Sequence, residues 1–290
     1  METNLLLLDS YKNIEELIAY AFSFSNRSKR SLKIVYVFDF EWMRQSFMVG
    51  SAAPIDPALV VVEKNARKEF KVAETRLREI TGDYLKKHSV NVPFEIHISE
   101  NNRIDVVREE QEKSPGLMLL ISNRQSYSEA SGGIIGYPNL IEHVNCPVFV
   151  IPGHTAYSVM KDVLYATNYH PEDVESLRHL TALLHYSKDV HFTVLHNQPE
   201  FDFQEKLKWE GFQHIVKETT GEERFSFYRT AEKDTVSAIE KYAEKHDPDL
   251  LVILREKRGF FEELFRSSET RSVLTHFHKP VLVYHENNNH

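Results

Sequence analysis

The chain has 290 residues, 41% of them hydrophobic and 27% charged, which is the mixture of a globular protein of two ordinary domains and excludes a disordered tail. A formal charge of −8, with basic residues scattered among acidic ones, argues against a broad cationic surface for a phosphate backbone, so no nucleic acid partner is expected. A single cysteine, Cys146, excludes an intramolecular disulfide and suits a reducing compartment; standing before a proline-led strand, it reads as a buried structural thiol.

In chain order, the first nine residues have no basic start, and their apolar run is too short for a signal peptide core. With no stretch approaching the length of a membrane span, a cytoplasmic protein without membrane contact is expected. Leu5 to Leu8 is wholly apolar, the pattern of a strand buried on both faces, and Asp9-Ser10 ends it with turn chemistry. Ile14, Leu17, Ile18, Ala21 and Phe22 follow at helical spacing. Lys33 to Phe38 gives a second strand. Glu41 to Ile55 then carries Trp42, Met43, Phe47, Met48 and Val49 with no clear period, and reads either as a disordered loop or as a segment that docks over a groove or partner surface. Asp56-Pro57 has the form of an N-cap followed by proline at the first helical position. Leu59, Val62, Ala66, Phe70, Ala73, Leu77 and Ile80 then recur at steps of three and four, which predicts a long amphipathic helix ending near Gly82. Strands are predicted at Phe94 to Ile98, Leu117 to Ile121 and Val148 to Ile151.

The second half repeats this order, with strands predicted at Asp162 to Ala166, His191 to Leu195, Phe225 to Tyr228, Leu250 to Leu254 and Val281 to Tyr284. Pro115 and Pro248 head matching apolar runs 133 positions apart, and Pro147 and Pro280 stand at the same separation. Asp9 and Asn168, at the ends of the two first strands, are 159 apart, so the first half carries roughly 24 to 26 extra residues between its second and third strands. The counterpart in the second half, Pro199 to Lys217, is too short for so long a helix plus a loop. Strands separated by helix-length connections imply parallel pairing, so each half is predicted to be a three-layer α/β sandwich. The expected domains are 1–152 and 160–286, joined by a linker at 153–159.

In such a sheet, ligands bind outside the carboxyl ends of the strands, where the strand order reverses. The residues there are Asp9, Val37-Phe38-Asp39 and Ser122-Asn123-Arg124 in the first half. Asn168, Val194-Leu195-His196 and Arg255-Glu256-Lys257 are those of the second. An Asp or Asn after a first strand also has a structural reading, capping the next helix or closing a turn.

These residues, in this order, resemble the universal stress proteins. The resemblance covers nearly the whole chain, once per half: an apolar first strand ending in Asp, a second strand rich in Val, a loop and helix, and a closing strand introduced by Asn145-Cys146-Pro147-Val148 or His278-Lys279-Pro280-Val281. The second half is the closer match, with Asp249-Leu250-Leu251-Val252-Ile253, Ser267-Ser268-Glu269-Thr270 and Lys279-Pro280-Val281-Leu282-Val283 in family order. The resemblance implies two tandem flavodoxin-like domains of the adenine nucleotide α-hydrolase-like fold, each a five-stranded parallel sheet with helices on both faces.

Family members that bind ATP run from the fourth strand into a Gly-x2-Gly-x9-Gly-(Ser/Thr) loop, whose amides approach phosphate oxygens that side chains would obstruct. This chain departs from that pattern. Leu254, Lys257 and Ser267 stand at the glycine positions of the second half, and Ser268 at the hydroxyl. In the first half Ile121, Arg124 and Ile134 take the glycine positions and Ile135 the hydroxyl. Gly132, Gly133 and Gly136 lie near enough for a small gap to restore one glycine, but not three. The base end is better kept: Asp9 and Val37 match the residues that flank adenosine in binders, and Asn168 and Val194 are their counterparts, with Asn lacking the charge. Arg255, Lys257 and Arg258 can hold phosphate by charge, or form a solvated basic loop facing Glu256, Glu262 and Glu263.

Three functional readings follow from the resemblance. The leading one is a non-enzymatic role in the stress response, through ligand sensing or protein interaction, with no cofactor and no ATP site built on a glycine loop. The second is an ATP or AMP switch that keeps one adenosine pocket and uses Arg124 or Lys257 with Ser268 for phosphate. The third is a weak adenine nucleotide hydrolase, for which no positioned base or metal set is visible. His276-Phe277-His278 lacks the further ligands a zinc site needs, and neither a Cys-x2-Cys nor a Gly-x-Ser-x-Gly motif is present. As partners, the resemblance implies an intramolecular pseudo-dimer of the two halves through Val148 to Ile151 and Val281 to Tyr284, with a homodimer or a protein partner beyond it.

Overall fold

Wholly apolar runs such as Leu5 to Leu8 and Leu119 to Ile121 become central strands because a parallel sheet beneath covering helices buries their side chains on both faces. The computed structural model describes residues 2–38, 57–122, 125, 137–153, 155–187, 189–200, 202–221, 224–256 and 277–286. The chain divides into two compact units, Met1–Cys146 and Pro147–His290.

The first unit contains β1 (Thr3–Leu8), α1 (Ile14–Ser28), β2 (Ser31–Val37), α2 (Pro57–Lys87), β3 (Phe94–Ser99), α3 (Arg103–Lys113), β4 (Met118–Ser122) and α4 (Tyr137–His143). Its strands lie in the order β3-β2-β1-β4, all parallel. Leu5 to Leu8 and Leu119 to Ile121 are fully buried, so β1 and β4 form the centre of the core. The order reverses between β1 and β4: the chain moves outward through β2 and β3, then returns to the other side of β1.

The second unit contains β5 (Val148–Ile151), β6 (Asp162–Ala166), α5 (Pro171–Leu183), β7 (His191–Asn197), α6 (Phe203–Thr220), β8 (Phe225–Thr230), α7 (Thr235–His246), β9 (Leu250–Arg255) and β10 (Val281–His285). Its order is β5-β10-β9-β6-β7-β8. Five strands, β6 to β10, are parallel, and the reversal falls between β6 and β9. β5 pairs antiparallel with β10, Val148 opposite Val283 and Val150 opposite Val281. Both strands are buried along their length, and Cys146 just before them is buried too, its thiol pushed up to about 12 by loss of solvent.

The long helix begins at Pro57 as the sequence predicts but continues through Gly82 to Lys87. Tertiary packing overrides the glycine. Tyr84 stacks on Phe22 with centroids 5.4 Å apart, and its hydroxyl lies 3.3 Å from that of Ser23, so the turn after Gly82 is held to α1. In the second unit α6 stands at the same place in the order with 18 residues against 31, and Gly221 at φ 61° ends it. The segment Glu41 to Ile55 falls among residues 39–56, outside those described. Among the described residues no helix is long and apolar enough to cross a membrane.

Candidate functional site

In the first unit the reversal point is closed by side chains from three elements. Asp9 follows β1, and its carboxylate lies 3.1 Å from Nε of Arg103, the first residue of α3. Both side chains are almost wholly removed from water. Asn102 starts α3 by accepting the Ile104 amide at 2.8 Å, and this cap aims Arg103 at β1. Gln125, fully buried beyond β4, accepts the amides of Asp9 and Ser10 at 2.9 and 3.0 Å and donates to the carbonyl of Lys12 at 2.8 Å. One amide side chain thus satisfies three backbone groups of the β1 loop. Leu8 is paired with Tyr36, and Val37 closes β2 one position further, buried.

An aromatic chain fills the space beside that loop. Tyr11 packs on Tyr36 at 5.1 Å, Tyr36 on Phe38 at 5.2 Å and Phe38 on Phe70 of α2 at 5.4 Å. The Arg76 guanidinium covers the Tyr11 ring at 4.2 Å.

The second unit fills its corresponding place differently. Asn168 is exposed just after β6. Tyr169, in the left-handed region at φ 60°, turns its ring onto His196, with centroids 3.9 Å apart and planes 27° from parallel. Trp209 and Phe212 of α6 complete the cluster, 5.9 and 5.6 Å from the Tyr169 ring. His196 Nδ1 bonds the Thr167 carbonyl at 3.0 Å, and burial holds the imidazole below its usual range. Val194 lies inside β7 opposite Tyr165, fully buried, and His196, also buried, stands one position before the strand's last residue.

Beside this stack sits an acidic network. Asp173, 1% exposed, accepts the Tyr165 hydroxyl at 2.7 Å, the Thr167 hydroxyl at 2.7 Å and the His170 amide at 3.0 Å. Burial nevertheless pushes its carboxyl up to about 6, because desolvation outweighs three donors. His170 returns the cap by accepting the Glu172 amide at 3.2 Å, which with Pro171 starts α5. Glu256 after β9 is raised by burial, and Glu286 after β10 lies 3.7 Å from Nε2 of His170.

Of the residues singled out in the sequence, the structure brings Asp9 and Val37 to the first reversal point, and Asn168 to the second. Neither Asp9 nor Asn168 caps a helix, that place being taken by Asn13 and His170. Ile121 and Leu254, at the first glycine positions, are buried strand residues. Arg124, Lys257, Ser267 and Ser268 lie outside the described residues. Among the described residues no group of three or more His, Cys, Asp or Glu side chains could hold a metal ion. Arg103, Gln125, Tyr169 and Asp173 were not expected as site residues, whereas His196 stands in the Val194-Leu195-His196 strand end singled out in the sequence. Only Asp173 had a local signal, standing two positions after Pro171 in an acidic first turn of the kind that opens a helix.

A model of the universal stress protein family matches residues 160–285. Over those residues the chain is similar to that family. A universal stress protein from Archaeoglobus fulgidus shares the fold across both halves, with a TM-score of 0.66 at 12% identity, covering 100% of this chain and 98% of that one. A protein of unknown function from Pseudomonas aeruginosa PAO1 gives a TM-score of 0.51 at 12% identity, covering 98% of this chain and 92% of its own. A third structure, provisionally titled a universal stress protein from Pseudomonas aeruginosa UCBPP-PA14, gives 0.53 at 13%, with 98% and 93% covered. No curated protein matches the chain. The universal stress protein fold therefore occurs in both halves, while the family match itself rests on the second.

Proposed function

We propose that this chain is a universal stress protein that works without catalysis, through protein interaction or the sensing of a small ligand, and not through ATP held on a glycine loop. One observation supports the reading: at both reversal points the chain's own side chains pack against one another at the strand ends, the end to which the resemblance assigns adenosine. In the first unit Arg103 engages the carboxylate of Asp9 at 3.1 Å, and Arg76 covers Tyr11. In the second, Tyr169 stacks on His196 at 3.9 Å. Glu286, 3.7 Å from Nε2 of His170, adds a carboxylate beside the residue that follows Tyr169, which disfavours a polyphosphate there.

Native mass spectrometry of the purified full chain tests this reading. The expected result is the bare chain mass, or a ligand that is not an adenine nucleotide. A stoichiometric ATP or AMP adduct overturns it.

A further inference from the structure

The repeat allows one place to be compared in the two units. In the first, Leu5 pairs with Lys33 and Lys33 with Glu95, toward the amino ends of β1, β2 and β3. Lys33 fills the space between these strands and α3: its ammonium lies 2.7 Å from Glu110 and 3.4 Å from Glu95, and its side chain is 13% exposed. In the second unit Leu164, 159 positions after Leu5, pairs with Thr193, and Thr193 with Ser226. Thr193 and Ser226 therefore stand where Lys33 and Glu95 do. Tyr242 of α7 takes the part of Glu110, donating its hydroxyl to that of Thr193 at 3.0 Å. An ammonium between two carboxylates has become a set of hydroxyls on shorter strand side chains, and a half-open cavity of about 360 Å³ lies there between β6, β7, β8 and α7.

We infer that this cavity binds a neutral, hydroxylated ring, a monosaccharide or a cyclic polyol. Among the described residues its walls hold no lysine or arginine, the side chains that grip phosphate or carboxylate groups. Asp162, exposed at the start of β6, is the one carboxylate among them, which in water does little for a cation. The remaining polar groups suit a partner that both gives and takes hydrogen bonds. Ser226 offers its hydroxyl, and because Tyr242 gives its proton to Thr193, the Thr193 hydroxyl can donate its own. An aromatic wall stands beside them. Tyr228, 43% exposed, meets Tyr242 edge-to-face at 5.3 Å, and Tyr242 stacks on His246 at 4.3 Å. A sugar ring is apolar on its faces and hydroxylated round its edge, so it lies on Tyr228 while its hydroxyls meet Thr193, Ser226 and Asp162.

The volume stands at the small end of the roughly 300–1,000 Å³ of small-molecule pockets, which fits a single ring. A half-open cavity leaves part of that ring in water, so binding is weak. The cavity lies at the amino ends of the strands and the reversal point at their carboxyl ends, so the inference is independent of whether either half binds a nucleotide.

Amide NMR of the full chain, titrated separately with glucose, galactose, mannose and myo-inositol, tests the inference, with glucose 6-phosphate and glucosamine as charged counterparts. At least one neutral probe is expected to shift the amides of Thr193, Ser226 and Tyr228 saturably at millimolar concentration, with the charged probes weaker. Tyr228→Ala, an exposed change that leaves the fold intact by circular dichroism, weakens that binding about fivefold, the size of one lost ring contact. Thr193→Lys with Ser226→Glu rebuilds the ion pair of the first unit inside the cavity and abolishes it. Silence of these amides toward all the neutral probes overturns the inference. So does saturation by a charged probe alone, or neutral binding that Tyr228→Ala leaves undiminished.

Discussion

The Nε of Arg103 and the Oδ2 of Asp9 stand 3.1 Å apart in a setting where Asp9 is 2% exposed, so the acidic residue at the end of β1 already has a cation of its own. That pairing changes the meaning of an acidic residue at this point of the fold. A carboxylate held by a neighbouring guanidinium is a structural tie between β1 and α3 before it is a ligand group.

Removing the cation leaves a buried carboxylate uncompensated. Arg103→Ala is expected to cost about 2–4 kcal/mol in urea unfolding, and Asp9→Asn in the same background recovers part of the loss. A loss below about 0.5 kcal/mol for Arg103→Ala would place the pair among weak surface contacts.

Gln125 holds the loop after β1 by three hydrogen bonds to backbone. Gln125→Ala removes all three partners from the Asp9–Lys12 segment, at an expected cost of about 2 kcal/mol. Hydrogen exchange localises the effect: the Asp9 and Ser10 amides exchange faster in the variant, while those of β3 do not.

Tyr169 combines a strained backbone with a stacked ring. Tyr169→Ala loses the stack and keeps the left-handed strain, whereas Tyr169→Gly loses the stack and relieves the strain. The glycine variant is expected to be the more stable of the two by about 1 kcal/mol. With Trp42 replaced by Phe, the emission of Trp209, 5.9 Å from Tyr169, shifts to the red in both.

Asp173 sets a pH dependence whose sign follows from its carboxyl being raised to about 6 in the fold against 3.8 unfolded. Between these values the folded chain keeps a proton that the unfolded chain has released, so stability falls as pH rises through that window and is level above it. The stability of the native chain relative to Asp173→Asn should therefore drop by up to about 1.4 kcal/mol per pH unit from about 4 to about 6. Unfolding free energies measured at intervals of half a unit check it, and a difference that rises with pH would reverse the assignment.

The strands were legible because unbroken apolar runs such as Leu5 to Leu8 and Val281 to Tyr284 have few other places to go in a parallel α/β fold. The end of α2 was not, since Gly82 signals a stop locally and Tyr84 overrides it through contacts with α1, far away in sequence. The site divides the same way. Asp9 and Asn168 could be located from strand ends, but Arg103 and Gln125 reach Asp9 from elements remote in the chain, and such pairings leave no local pattern. The turn of Tyr169 onto His196 depends on a left-handed backbone at a tyrosine, which residue type argues against.

The closing of both reversal points by the chain's own side chains is the central claim, and isothermal titration of the full chain with ATP and with AMP tests it most directly. The account predicts no saturable heat at micromolar nucleotide, for the native chain and for Asp9→Ala alike. Micromolar binding by the native chain, abolished by Asp9→Ala, would contradict it.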